Sequence, residues 1–539
     1  MLEQLDRILW AEKRIEQIDN RVYSLDAFPH LRAIADDNSR VKIIEKAAQQ
    51  AITMDCVIEE SHKVWAGLNW IHAFPTDKML SRFVKPRFDK LFTQNSKLAE
   101  LVRNINNVTV KEIGKGVIYF LGLGSATKEG GEFDVLSIAA DGVTLDERTR
   151  IKPNRVKDIL SRMNASPHKF QRRISTPKLP FDGIDEDYQE TDKKVLGIKC
   201  EGCNEWNFLD DDEHYHRKDY AEWAMSRIQY GFLTCEKCGK ALNVFNSEFV
   251  KQITDKVEWS GYHVSALYSP FADYNQMLRD FQGLSSSRET QTYWNDIFGF
   301  PYVDVKAKLS KELILQRCTG KAMDALGKDT FLGLDIGGSR KGLHCVIGKP
   351  DSNWDYDIVW LGVIHEPNPE DPKFMEWLVN DIAQKMNAFG VRKGCIDGEP
   401  QHISRAIANS IRKIWRVQYN DSQRDGFKWD DEKRMVSVNR TESLDNSHEI
   451  LSKKKFNLRR RNEEIEQFAE HCAALVKDEE VDEDTGQKTY TWKKIAKYDD
   501  YRHAFNYMVL ASGYDGRTRT IKPVLTTFIP PNVREILEA

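Results

Sequence analysis

Phe331-Leu332-Gly333-Leu334-Asp335-Ile336-Gly337-Gly338 reads as an apolar strand that ends on an aspartate and runs into a glycine turn. Gly394-Cys395-Ile396-Asp397-Gly398-Glu399-Pro400 repeats that pattern further along the chain. Asp499-Asp500-Tyr501-Arg502-His503-Ala504-Phe505-Asn506-Tyr507 differs, because here the aspartates open an amphipathic helix. Taken singly, an aspartate at the end of a strand is more often a turn residue or a helix cap than a ligand. Taken together, two strands and a late helix each deliver a carboxylate.

That layout is the one an RNase H-like, two-metal nuclease needs. Two divalent ions about 4 Å apart clamp the attacking and leaving oxygens of an in-line phosphate displacement, and hard ions of that kind take carboxylate oxygens. In this reading Asp335 bridges both Mg²⁺ or Mn²⁺ ions, and Asp397 and Asp499 hold one each. Glu399 competes with Asp397, and Asp500 with Asp499, because each pair is so close in sequence. His503 lies one helical turn after Asp499 on the same face. It either orients a ligand, shuttles a proton or packs on the helix surface.

A chain of 539 residues predicts about three domains. With 30% charged and 40% hydrophobic residues it has an ordinary globular balance. A net charge of −4 excludes a basic nucleic-acid coat, so any DNA contact comes from local patches. Lys453-Lys454-Lys455 and Arg459-Arg460-Arg461 either track phosphates or form a solvated face offset by Glu463, Glu464 and Glu466. No apolar run approaches the ~20 residues that span a bilayer. The charged start of the chain lacks a signal-peptide core, so a cytosolic protein without membrane contact is expected.

Four of the nine cysteines form two pairs, Cys200-Glu201-Gly202-Cys203 and Cys235-Glu236-Lys237-Cys238, with 31 residues between them. In a cytosolic protein this favours metal over disulfide, and four thiolates make the closed tetrahedral site of structural zinc. The insertion is expected over 195–245. Cys56, Cys318, Cys345, Cys395 and Cys472 are scattered and read as buried apolar residues.

The N-terminal half opens with a helical lead-in at 1–30. Strands follow at 41–44, 70–76, 117–122, 133–140 and 170–176, alternating with helical stretches, and predict a parallel α/β domain over 31–275. A helical connector over 276–327, a second α/β domain over 328–515 and a tail over 516–539 complete the chain. The standard phosphate loop GxxxxGK[ST] is absent. Lys46-Ala47-Ala48-Gln49-Gln50-Ala51-Ile52-Thr53 nevertheless stands between a strand and a helix. This makes Lys46, Gln49 and Thr53 candidates for phosphate and Mg²⁺. Asp141, expected at the end of the 133–140 strand, is the candidate Walker B aspartate. Two features count against hydrolysis. Ala51 stands where glycine would let the backbone approach phosphate, and Gly142 stands where a catalytic glutamate is expected. Asp146 or Glu147 could supply the missing carboxylate from the next turn.

These stations together resemble the large subunit of tailed-bacteriophage terminases, in the branch with an N-terminal ATPase, a zinc insertion and a C-terminal nuclease. The segment from Lys46 to Thr53 is similar to the family's deviant Walker A, with its lysine in front. Ser175-Thr176-Pro177, followed by Gly183-Ile184-Asp185, resembles its coupling segment. Further resemblance lies in Gly261 to Pro270, in Trp294-Asn295-Asp296-Ile297-Phe298-Gly299-Phe300-Pro301-Tyr302, and in Val438 to Asp445. Asp499 to Tyr507 looks like the final D-H-Y-x-H-A-x-x-Y motif, with Asp500 in place of histidine. The resemblance implies a P-loop-type ATPase domain with a zinc-ribbon insertion, followed by an RNase H-like nuclease domain. It further implies an ATP-driven motor, acting in the host cytoplasm, that moves double-stranded DNA into a procapsid and cuts concatemers. Its implied partners are the portal protein, the small terminase subunit and further copies of this chain in a ring on the portal. An arginine finger would come from Arg82, Arg87 or Arg103. The alternative is a metal-dependent DNA endonuclease carrying a degenerate, inactive ATPase domain.

Overall fold

The computed structural model describes residue 3 and residues 6–123, 138–255, 257–304, 308–323, 328–337, 342–364, 373–423, 426–481 and 488–514. The chain forms two compact units, Met1–Asp304 and Val305–Ala539. The lead-in is one short helix, Arg7–Arg14, followed by the paired strands Gln17–Ile18 and Arg21–Val22.

The first unit is built on an eleven-stranded sheet. Its strands in chain order are β1 (Val41–Lys46), β2 (Trp70–Phe74), β3 (Val102–Asn106), β4 (Val110–Ile113), β5 (Gly116–Gly122), β6 (Gly142–Asp146), β7 (Phe170–Ser175), β8 (Lys194–Lys199), β9 (Trp206–Phe208), β10 (Ser247–Lys251) and β11 (Ser260–Val264). The order across the sheet is β9-β8-β11-β1-β7-β6-β2-β5-β4-β3, with β10 also on β8. From β11 to β5 all neighbours are parallel. β1, β2 and β6 are buried along their whole length, as strands covered on both faces must be.

The fourth strand differs from the sequence expectation. Residues 133–137 lie outside the described residues, and 138–140 carry no strand. The strand is β6, which begins after Asp141. Its polar Thr144 is buried because the Trp70 indole N–H donates to the Thr144 hydroxyl at 2.9 Å. A buried polar residue of this kind hides a strand from hydropathy.

Helix α1 (Ile52–Trp65) follows β1 and lies on the sheet through an ion cluster as well as through apolar packing. The Arg172 guanidinium donates to both Glu59 carboxylate oxygens, at 2.5 and 2.8 Å, and Lys42 Nζ and Arg7 reach the same carboxylate at 3.0 and 3.3 Å. Burial pushes the Glu59 carboxyl up, but Arg172, Lys42 and Arg7 outweigh it and hold it well below the ordinary carboxylate range. Glu59→Gln strands buried cations and is expected to cost about 3–5 kcal/mol of stability. Because the folded pKa is depressed, this contribution is present above the unfolded value near 4.3 and is lost as pH falls through the folded one. The gap between urea melts of the wild type and Glu59→Gln should therefore narrow from pH 7 to pH 3.

The second unit carries an eight-stranded sheet. Its strands are β12 (Thr330–Ile336), β13 (Leu343–Pro350), β14 (Tyr356–Ile364), β15 (Val391–Asp397), β16 (Ile414–Tyr419), β17 (Phe427–Asp430), β18 (Met435–Val438) and β19 (Phe456–Asn457). Strands β12, β13 and β14 form an antiparallel meander, and β15 and β16 add in parallel on the other side of β12. The resulting order β14-β13-β12-β15-β16 is the RNase H-like arrangement. Helices α2 (Phe374–Ala388) and α3 (Gln401–Ser410) flank β15, and α4 (Arg440–Ser452), α5 (Glu463–Cys472) and α6 (Asp500–Ser512) follow.

Helix α6 crosses β12 at Gly333. A Cβ there would lie 1.9 Å from the Ala504 carbonyl oxygen and 2.4 Å from the Met508 nitrogen. Only glycine allows that approach, and it brings the start of α6 onto the end of β12. Tyr501, Ala504, Phe505 and Met508 fill the core beside it. The buried Arg502 is tied down by Ser447 Oγ at 2.8 Å and the Leu444 carbonyl at 3.1 Å.

Candidate functional site

The turn from β1 into α1 holds the lysine-first loop. Lys46 is 7% exposed at the carboxyl end of β1. Gln49 and Ala51 both take left-handed conformations, with φ of 60° and 62°. Ala51 thus adopts the turn that glycine would give freely, at a strain of about 1–2 kcal/mol, so its side chain does not change the loop's path. Thr53 is the second residue of α1 and is half-buried. The base of the loop is fixed from the far end of the unit. The Ala47 N–H donates to the Val264 carbonyl at 2.8 Å, and the Ala48 N–H to the Asp296 carbonyl at 3.0 Å. Gly299, at φ 74°, comes so close that a Cβ would lie 2.8 Å from the Ala47 nitrogen.

The structure corrects the assignment of Asp141. This residue precedes β6, at the amino-terminal edge of the sheet, where it accepts the Asn69 N–H at 3.0 Å and the Ser166 hydroxyl at 2.6 Å. The parallel strands put the Lys46 end of β1 at the opposite edge, roughly 15 Å away by strand rise. Asp146 and Glu147 stand at that edge. In register, Asp146 pairs with Ile174, and Glu45 pairs with Ser175. Gly142 therefore does not occupy the position of a catalytic glutamate.

His72 stands behind Asp146. His72 on β2 lies 2.7 Å from Glu60 Oε1 through Nδ1, and its Nε2 is 3.6 Å from Asp146 Oδ2. Burial pulls the His72 pKa down, but Glu60 and Asp146 dominate and raise it to about 9. Glu147 sits at φ 56°. Burial raises its carboxyl pKa above the ordinary range, against the pull of Lys46 and Arg150. The Ser175 hydroxyl faces Glu147 Oε2 at 3.5 Å, and the Thr149 hydroxyl donates to the Thr176 carbonyl at 3.0 Å. Residues Ser175 and Thr176 thus touch the Glu147 turn directly. Arg82, Arg87 and Arg103 are exposed, as is Arg150, whose charge acts on both Glu147 and Asp296.

In the second unit the carboxylates converge on Asp335, which is 6% exposed. Burial, then Asp397, Asp500 and Asp499, push its carboxyl well above the ordinary range. Asp397, one residue past the Leu334–Ile396 pair, is also raised by burial and accepts the Glu399 N–H at 3.3 Å. Glu399 itself is exposed and takes the Gln401 amide at 3.1 Å, so Asp397 is the inward member of that pair. Asp499 stands at the N-cap position of α6 without a side-chain capping bond, and its Oδ2 lies 3.3 Å from His503 Nε2. Burial raises the Asp499 carboxyl, but His503, Lys494 and Arg440 prevail and lower it. Asp500 turns the other way, toward His344 Nδ1 at 3.9 Å and His471 Nδ1 at 4.0 Å. Four buried or half-buried carboxylates with this mutual repulsion fit divalent cations held by oxygen.

The four cysteines lie together. Cys200 and Cys238 sulfurs are 3.6 Å apart, as are Cys203 and Cys235, and all four gather within 4.8 Å. Tetrahedral thiolates at zinc bond lengths stand about 3.8 Å apart. Burial pushes the Cys235 thiol up, but the Cys238 and Lys237 amides and the Asn207 side chain lower it to about 6. The basic runs do not make one continuous track. Arg459 is 7% exposed and bound by both nitrogens to Asp357, at 2.6 and 2.9 Å, and Arg461 pairs with Glu466.

Residues 34–248 match the family of phage terminase large subunit gpA, ATPase domain. No curated protein matches the sequence. The large terminase of bacteriophage HK97 has a similar structure, with a TM-score of 0.51 at 12% identity over 94% of this chain and 99% of that one. At that identity the likeness speaks for the fold. The large terminase of the thermophilic bacteriophage D6E matches over 94% of this chain and 97% of its own, with a TM-score of 0.30 and 11% identity.

Proposed function

We propose that this chain, whose residues 34–248 match the phage terminase large subunit gpA, ATPase domain, is a terminase large subunit: a DNA-packaging ATPase that also cuts its DNA with a metal-dependent nuclease centre. Its partners in this reading are double-stranded DNA, the portal protein, the small terminase subunit and further copies of the chain in a ring. Its place of action is the host cytoplasm. Among the described residues no helix is long and apolar enough to cross a membrane. The observation that carries the reading is the placement of Asp335 and Asp397 at the ends of neighbouring parallel strands, with Asp499 at the start of the helix that crosses β12, in a chain whose residues 34–248 match the phage terminase large subunit gpA, ATPase domain.

In the first unit ATP binds with its phosphates at the 46–53 loop. Lys46 balances their charge, and Gln49 lies on the same turn. Thr53 and Asp146 offer oxygens to the magnesium that accompanies the nucleotide. Glu147 takes the proton of the attacking water, a role that its raised pKa suits. Ser175 and Thr176 meet the Glu147 turn and carry its state along β7. The degenerate-ATPase alternative loses its main support once Asp146 and Glu147 replace Asp141 and Gly142.

In the second unit Asp335, Asp397 and Asp499 would hold Mg²⁺ or Mn²⁺. Such ions, when bound, supply an activated water and neutralise charge on the leaving oxygen. The chain's own contribution is placement: Gly333 seats α6 on β12, and His503 holds Asp499. The four cysteines would hold a structural zinc ion, which elemental analysis at one zinc per chain tests; a folded, zinc-free chain would remove it. For the motor, linear double-stranded DNA is expected to raise ATP turnover several-fold. Turnover indifferent to DNA would count against translocation.

A further inference from the structure

We propose that His344, His471 and Asp500 form an additional metal site, selective for a first-row transition ion, that pins the start of α6 to β13 and α5. The three residues come from three elements. His344 lies on β13 directly opposite Asp335, His471 is in the last turn of α5, and Asp500 is the first residue of α6. One donor atom from each lies within 4.8 Å of the others, and the two imidazole rings are 5.5 Å apart.

His344 is 7% exposed, and its Nδ1 has no hydrogen-bond partner while facing Asp500 Oδ2 at 3.9 Å. A buried nitrogen left without a partner is costly, and an ion between the imidazoles and the carboxylate would satisfy it. His471 Nδ1 stands 4.0 Å from the same oxygen and accepts the Tyr501 N–H at 3.2 Å. Ligation exchanges that long bond for the ion and frees an amide of the first helical turn, where N–H groups have no intrahelical acceptor. Donors around a tetrahedral ion with bonds of about 2.0–2.1 Å stand roughly 3.4 Å apart, so each imidazole nitrogen would move roughly 0.5 Å toward Asp500 Oδ2. A Cβ at Gly337 would crowd Asp500, at 3.1 Å from Oδ1, so glycine keeps the space beside that carboxylate open.

The donor set decides the occupant. Two imidazoles and one carboxylate suit zinc, cobalt, nickel or manganese, whereas Mg²⁺ prefers oxygen throughout. The site therefore differs in kind from the carboxylates around Asp335.

Cobalt tests this on the full chain with the cysteine site kept in zinc. Titration of Co²⁺ should develop visible d–d bands without thiolate charge transfer, at one ion per chain, in the wild type and in Asp397→Ala. His344→Ala and His471→Ala should each weaken that ion by roughly tenfold or more. His344→Gln keeps the side-chain volume and should do the same with an unchanged circular dichroism spectrum. Equal titrations for the wild type and His344→Gln would overturn the proposal. So would loss of the bands in Asp397→Ala, which would put the ion at the catalytic carboxylates. Cobalt binding is read without DNA, so failure of the nuclease reading and failure of this site remain distinct results.

Discussion

Glu147→Gln is expected to abolish ATP hydrolysis while ATP still binds, and Asp141→Ala is expected to leave hydrolysis near the wild-type rate. Glu147 faces Lys46 across the carboxyl edge of the parallel sheet, in a setting where burial raises its proton affinity. Removing a general base so placed costs about 10²–10⁴ in kcat. The amide keeps the volume and the Ser175 contact, so nucleotide affinity should change little. Asp141 instead joins two loops at the opposite edge through Asn69 and Ser166, so its loss costs stability and not chemistry. Steady-state turnover beside equilibrium binding of a fluorescent nucleotide separates the two effects. Hydrolysis that survives Glu147→Gln and fails in Asp141→Ala would reverse the Walker B assignment.

Asp335→Asn is expected to remove DNA cleavage by about 10³-fold or more, because an ion held between carboxylates is worth several kcal/mol to the transition state. The same substitution should not unfold the protein. Asp335 has a raised pKa in the fold, from burial and from Asp397, Asp500 and Asp499. A raised carboxylate favours its neutral form, so at neutral pH its charge opposes folding in metal-free protein. The amide removes that charge. Metal-free Asp335→Asn should therefore melt at or above the wild-type temperature while Mn²⁺-dependent plasmid nicking is lost. A variant that cleaves at the wild-type rate would remove Asp335 from the centre.

What the sequence made legible follows from how local the signals are. The strands ending on Asp335 and Asp397 showed as apolar runs closed by glycine, and the paired cysteines showed by spacing alone. The Asp146-Glu147 pair was also visible, behind Val143-Thr144-Leu145, but buried Thr144 and the longer apolar run before Asp141 drew the expected strand to 133–140, ahead of the one at Gly142–Asp146. Arg459 looked like surface charge because nothing near it in sequence announces Asp357 as its partner. His72 behind Asp146, Asp296 at the loop, and His344 and His471 around Asp500 are joined only by tertiary packing. No spacing in the chain could have brought them together.

If the chain holds two chemically independent centres, one in each unit, blocking one must spare the other. The most direct measurement assays wild type, Glu147→Gln and Asp335→Asn for both ATP hydrolysis and plasmid cleavage, with cleavage measured without nucleotide. A crossed result is expected: Glu147→Gln loses hydrolysis and keeps cleavage, and Asp335→Asn loses cleavage and keeps hydrolysis. Loss of both activities in either variant, with the fold intact, would contradict it.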